Sequence, residues 1–143
     1  MTREEKQLLL IDLCARLPYD VKVRISNESD GCSHVNTTIL DTDNLHKYIL
    51  NGGYYKRGLF YKTPNFQLLP YLRPMSSMTE EEKKEFQACH CIYELHPDFQ
   101  PMMCNLANEL NMFNWLNAHH FDYRGLIPMG LALEAPEGMY KNE

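Results

Sequence analysis

The sequence predicts an α+β fold: a small antiparallel sheet of three to five strands, with about three helices packed mainly on one face. Two capping boxes mark helix starts, Thr2 with Glu5 and Thr79 with Glu82. Between them Val21, Val23 and Ile25 alternate with Lys22, Arg24 and Ser26, the period-2 pattern of a strand with one buried face. The composition agrees. A chain of 143 residues, 44% hydrophobic and 23% charged, reads as one globular domain over residues 1–143, large enough for a core of its own.

The first helix follows the Thr2 cap. Leu10, Leu13, Cys14 and Leu17 recur at i, i+3, i+4, i+7, an apolar stripe that Leu9 widens. Asp12 and Arg16 stand four apart and are expected to pair on the wet side. Pro18 stops the helix, because the residue before a proline disfavours helical geometry. After the alternating strand, Asn27 to Ser33 reads as a loop around Asp30-Gly31, and His34 to Leu40 as an antiparallel partner strand. Asp41 or Thr42 can cap a short helix, Asn44 to Leu50, closed by Asn51-Gly52-Gly53 in left-handed geometry.

Tyr54 to Tyr61 is aromatic and basic, with Leu59, Phe60 and Tyr61 suggesting a third strand. Phe66 to Leu72 follows as a fourth strand, placed at a sheet edge because Pro70 and Pro74 cannot donate to a ladder. A helix from Thr79 presents Phe86 and Cys89, with Tyr93 or His90, inward. Another runs from Met102 to about His119, with Leu106, Leu110, Phe113 and Leu116 on one side. Leu126 to Ala135 can add a short strand, and Pro136-Glu137-Gly138 then releases the chain.

Fourteen Lys and Arg stand against 19 Asp and Glu, a net charge of −5 that disfavours binding to nucleic acid phosphates. Lys56, Arg57 and Lys62 form the one loose basic patch, read as a solvated hairpin rim. No stretch approaches the ~18 uncharged apolar residues of a membrane span, and Thr2 to Lys6 is too acidic for a signal-peptide start. Five cysteines, an odd number at uneven spacing, point to free thiols in a reducing compartment, so the expected location is the cytoplasm.

Three clusters can carry chemistry. Cys89-His90-Cys91, with His96 and Cys104 nearby, offers metal ligands. A C-x-C on a helix, however, points its thiolates about 200° apart, so no metal is expected. His119-His120-Phe121-Asp122-Tyr123-Arg124 supplies a histidine base that Asp122 can orient, and an arginine fork for a carboxylate or phosphate. The same histidines, near a helix C-terminus, can simply satisfy orphan carbonyls. Tyr71-Leu72-Arg73 with Ser76 and Ser77 lies just before a helix N-terminus, where backbone N–H groups and Arg73 can receive an anion, although Glu80 to Glu82 would repel it. No Gly-rich phosphate cradle, HExxH or GxSxG is present.

Three blocks, LLLIDLCARLPYDVKVRI (Leu8 to Ile25), LPYLRPMSSMTEEEKKEF (Leu69 to Phe86) and WLNAHHFDYRGLIPMGLALEAPEGMY (Trp115 to Tyr140), resemble an uncharacterised family of short proteins. That family occurs in phages, prophages and mobile elements of gut Bacteroidales. Ala88 to Asn114 fits it least. The resemblance implies a mobile-element setting and supplies no catalytic residue and no cofactor. The resulting expectation is a non-enzymatic accessory protein that binds a host protein or a small anionic ligand, with modulation of host defence as one role for it. Tyr71, Arg73, Ser76, Ser77, His119, His120, Asp122, Tyr123 and Arg124 are its candidate surface. The rival is a small hydrolase or nuclease using His119 or His120 with Asp122, and a third reading is a structural or assembly role. Oligomeric state is left open.

Overall fold

The structure, a computed structural model, describes residues 1–29, 32–63, 65–89 and 101–140. Helix α1 (Arg3–Arg16) is followed by a 3₁₀ turn at Leu17–Tyr19 that contains Pro18. Strands β1 (Lys22–Ser29) and β2 (Cys32–Ile39) precede α2 (Thr42–Ile49). Then come β3 (Gly53–Lys56), β4 (Leu59–Lys62), β5 (Gln67–Leu72), a 3₁₀ turn at Met75–Ser77, α3 (Glu80–Ala88), α4 (Pro101–Ala118) and β6 (Leu133–Glu134).

The α+β class and the small sheet are as expected. Four strands lie in the order β2-β1-β5-β6. β1 runs antiparallel to β2 and β5, but β6 joins β5 parallel, so the sheet is mixed rather than wholly antiparallel. β5 is also not an edge, contrary to the proline argument. β6 covers it at Tyr71 and Leu72, so over Gln67 to Pro70 β1 is its sole ladder neighbour among the described residues. Pro70 therefore sits where a missing donor on the far side costs nothing.

Over β1 and β5 one face of the sheet is buried. Val23, Leu68, Pro70 and Leu72 project from it and meet Leu9 and Leu13 of α1, Leu45 and Tyr48 of α2, and Leu126 and Leu131 of the late loops. Tyr48 is buried enough that its hydroxyl pKa is pushed up to about 12. The Thr2–Glu5 and Thr79–Glu82 capping boxes both form. Asp41, not Thr42, caps α2 by accepting from the Asn44 N–H at 2.7 Å. Its other end closes as predicted: Gly52 N–H reaches Lys47 O, Asn51 N–H reaches Tyr48 O, and Asn51 is left-handed at φ 55°.

α1 departs from its expected face. The buried stripe is Leu9, Asp12, Leu13 and Arg16, while Cys14 is exposed and Leu10 and Leu17 only flank the core. Asp12 and Arg16 do pair, but inside the protein, both at 0% exposure. The Arg16 Nε–H donates to Asp12 Oδ2 at 2.8 Å and its Nη2 donates to the Phe121 carbonyl at 2.7 Å. The last residue of α1 thereby docks the segment that follows α4. A hydrophobic count alone misses this, because the pair takes two stripe positions that apolar residues normally fill.

α4 also turns differently from its apolar spacing. Leu116 is buried, yet Leu110 and Phe113 are 54% and 47% exposed, and the side chain of Leu106 lies outside the described residues. His90 and Tyr93, expected on the inner face of α3, lie outside them as well. Among the described residues no helix is long and apolar enough to cross a membrane.

Removing one member of a buried ion pair strands the other charge and costs about 3–5 kcal/mol, whereas replacing both with apolar groups is often neutral. Asp12→Ala is therefore expected to destabilise the fold by about that amount. Asp12→Leu with Arg16→Met should recover most of the loss, less the bond to Phe121 O. Urea denaturation midpoints of the two variants check this.

Candidate functional site

Two candidate segments that lie some fifty residues apart in the chain meet side by side. Beyond β5 the chain continues to Arg73, which forms a parallel bridge with Phe121. The Arg73 N–H donates to His120 O at 2.7 Å, and the Asp122 N–H donates to Arg73 O at 2.8 Å. The segment 119–124 is aimed there by the end of α4. Phe121 N–H reaches Leu116 O and His120 N–H reaches Asn117 O, the paired bonds of a Schellman motif. His120 holds the left-handed position at φ 64°, where glycine is usual. Its ring is buried and stacks on Tyr140 at 3.8 Å.

The chemistry of each side chain follows from its neighbours. The Asp122 carboxylate accepts from the Leu126 and Ile127 N–H groups, at 2.8 and 2.9 Å, and so ties the turn through Gly125 rather than orienting a histidine. His119 Nδ1 lies 2.9 Å from the Trp115 carbonyl, which can only accept, so that nitrogen carries the proton. Its other nitrogen faces Glu85 at 3.8 Å, and its ring stacks on Trp115 at 3.9 Å. The Tyr123 hydroxyl donates to Asn117 Oδ1 and accepts from Arg124, whose Nε is 3.7 Å from Asp12 Oδ1.

Arg73 has an equally committed guanidinium. Both terminal nitrogens donate to the Glu82 carboxylate at 2.7 Å, and the group lies 4.2 Å over the Phe121 ring. The ion pair, with help from the Thr79 cap, holds the Glu82 carboxyl down at about 2. Ser76 and Ser77 are exposed in the 3₁₀ turn, where the Ser77 hydroxyl donates to Pro74 O.

A cleft of about 540 Å³ opens beside Arg73 and Ser77. Its far wall is the stretch 134–140, which does not release the chain at Pro136 as expected. Ala135 N–H bonds Leu72 O, and Lys22 Nζ holds the Met139 carbonyl at 2.6 Å. The Tyr140 hydroxyl donates to Tyr71 O and accepts from the Lys22 N–H. Among the described residues that line this cleft, Glu82, Glu134 and Glu137 stand against Arg73 as the only cation, so that lining is net negative. That balance suits a cationic group better than an anion.

Set apart from this junction is a feature that reading the sequence underweighted. β3 and β4 form a two-stranded sheet of their own, turned by Arg57 and Gly58, both at positive φ. Tyr54 pairs with Tyr61 and Tyr55 with Phe60, at ring separations of 5.5 and 5.1 Å. Pleat alternation puts these pairs on opposite faces, and both faces are open: Tyr55 is 64% exposed and Leu59 61%. Phe60 leans over Gly53, where any Cβ would strike its ring. A signal was present, since Tyr54-Tyr55 and Leu59-Phe60-Tyr61 do not alternate with polar residues as a core-packed strand does.

Among the described residues no group of three or more His, Cys, Asp or Glu side chains is placed to hold a metal. His90, Cys91 and His96 lie outside those residues, as does the side chain of Cys104.

The Arg73–Glu82 pair has a definite acid signature. A folded-state carboxyl at about 2 against its ordinary 4.5 contributes stability that is full above pH 4.5 and lost as pH falls toward 2. Arg73→Met is expected to return the Glu82 midpoint most of the way to 4.5, as read by carboxyl-carbon NMR titration. The variant should also lose less of its stability across that window than the parent. No family model, curated protein or solved structure matches the chain.

Proposed function

We propose that this chain is a binding protein that docks its β3–β4 hairpin onto an acidic, partly apolar surface of another protein. The observation that carries this reading is the hairpin itself. Five large apolar side chains, Tyr54, Tyr55, Leu59, Phe60 and Tyr61, are at least 36% exposed on a sheet that adds nothing to the core. Exposed apolar groups gathered this way mark interaction sites rather than ordinary surface. Lys56, Arg57 and Lys62 edge the hairpin, and none of the chain's 19 acidic residues lies between Gly53 and Lys62. Lys47 adds a fourth cation over the Tyr54 ring at 4.9 Å. On a chain of net charge −5 this local reversal favours an acidic partner and speeds its approach.

A small anionic ligand at Arg73 or Arg124 is the weaker form of the binding reading, because both guanidinium groups already serve internal partners. A hydrolase built on His119 or His120 with Asp122 is weaker still, since the carboxylate is consumed by backbone N–H groups. In the mobile-element setting that the sequence resemblance implies, the partner is a cytoplasmic protein of the host.

Tyr55→Ser with Phe60→Ser removes the most open pair while leaving the core untouched. Loss of a central aromatic contact typically costs 2 kcal/mol or more, so capture of the partner from host lysate should weaken about thirtyfold or further. The far-UV spectrum should stay unchanged. Undiminished capture by that variant, or release of the captured partner by nuclease, would sink the assignment.

A further inference from the structure

β2 is the outer strand of the four-stranded sheet, with β1 on one side and no described strand on the other. Such an edge presents unpaired N–H and C=O groups, and proteins usually blunt it with charge, proline, a bulge or a cover. None of these devices is found among the described residues. Cys32–Ile39, CSHVNTTI, contains no Asp, Glu, Lys, Arg, Pro or Gly. Its register with β1 runs unbroken from Ser29↔Cys32 to Lys22↔Ile39, so no bulge turns it away. His34, Val35, Asn36 and Thr37 are exposed in succession, which leaves both faces of the strand uncovered.

The polarity of β2 is also inverted. Val23 and Ile25 of β1 face the core and pair with Thr38 and Asn36, so the core face of β2 is polar. Val35 and Ile39 pair with Ser26 and Lys22 and fall on the opposite face, 64% and 46% exposed. Apolar residues placed on the wrong face of a strand ask for a partner there.

We propose that this edge pairs antiparallel with β2 of a second copy, about a two-fold axis through Thr37, joining two sheets into one of eight strands. In that register Thr37 meets itself, and Val35 meets the second copy's Ile39 on either side of the axis. The strand is self-complementary because its two exposed apolar residues stand two positions to each side of Thr37. Two-fold symmetry then brings the four apolar side chains, Val35 and Ile39 of each copy, onto one face beside the two Thr37, where such β-branched cross-strand pairs are favourable. An uncharged edge lets two chains of net charge −5 approach without like charges meeting in the ladder. The inference does not depend on the hairpin, although a dimer would carry two hairpins and gain avidity for a repeated partner.

The test is sedimentation equilibrium of the full chain at ~10–100 µM, with two sets of variants. The wild type is expected at twice the chain mass, and Val35→Lys with Ile39→Lys at the mass of one chain with an unchanged far-UV spectrum. Facing residues in an antiparallel pair have Cα atoms about 4.5–5.5 Å apart, within disulfide range. Thr37→Cys should therefore cross-link to itself under mild oxidation, identified by peptide mass spectrometry, and Asn36→Cys should not. The Tyr55→Ser, Phe60→Ser protein should remain dimeric. A wild type that stays monomeric overturns the proposal. So does a dimer that survives both lysines without linking at position 37, or one that the hairpin variant abolishes.

Discussion

Burying the guanidinium of Arg16 sets the terms for most of the molecule. A charge at 0% exposure is tolerable only with an opposite charge and further hydrogen-bond acceptors around it. Asp12 supplies the first, one helical turn away, and Phe121 supplies the second from 105 positions along the chain. Phe121 is reached from two sides, because Arg16 holds its carbonyl while Arg73 lies over its ring and bridges its backbone. From Arg73 the chain of dependence continues to Glu82 and the start of α3. Helix α1, the end of β5, the end of α4 and the first turn of α3 are thus fixed against one aromatic residue. The geometry of the 119–124 segment follows from that constraint before any ligand is considered.

What was legible in the sequence were features whose cause is local. Both capping boxes, the Asn51-Gly52 closure and the alternation of β1 depend on neighbours within five positions, and all form. What was not legible depends on partners distant in sequence. The stripe of α1 was misplaced because the burial of Asp12 and Arg16 is decided by Phe121. The role of Asp122 was open because either a histidine or two backbone N–H groups could have claimed its oxygens. The docking of the chain beyond Pro136 rests on the Met139 carbonyl and the Tyr140 hydroxyl, whose anchors, Lys22 and Tyr71, lie far earlier in the sequence. Spacing identified the residues of the 71–79 and 119–124 segments, but only tertiary pairing puts them side by side.

Charge is distributed unevenly. The cleft walled by 134–140 holds three carboxylates against one committed arginine, while the hairpin holds cations and rings with no acid among them. The net charge of −5 averages these two surfaces and describes neither. Rings and cations on a two-stranded ribbon cost little in folding stability, because the ribbon contributes nothing to the buried cluster. Its sequence is therefore freer to answer a partner than that of β1 or β5, where every second residue must fill the core.

The protein has one tryptophan, and the fold puts it at the junction of the late segments. Trp115 lies against His119 on one side and Phe121 and Phe86 on others, at ring separations of 3.9, 5.7 and 5.5 Å. Its fluorescence therefore comes from a single site, the one where α3, the end of α4 and the 119–121 turn converge. Emission wavelength and quenching report directly on whether that junction is assembled, with no added label. A change at the β2 edge or the hairpin that leaves the spectrum unaltered has left the Phe121 hub in place.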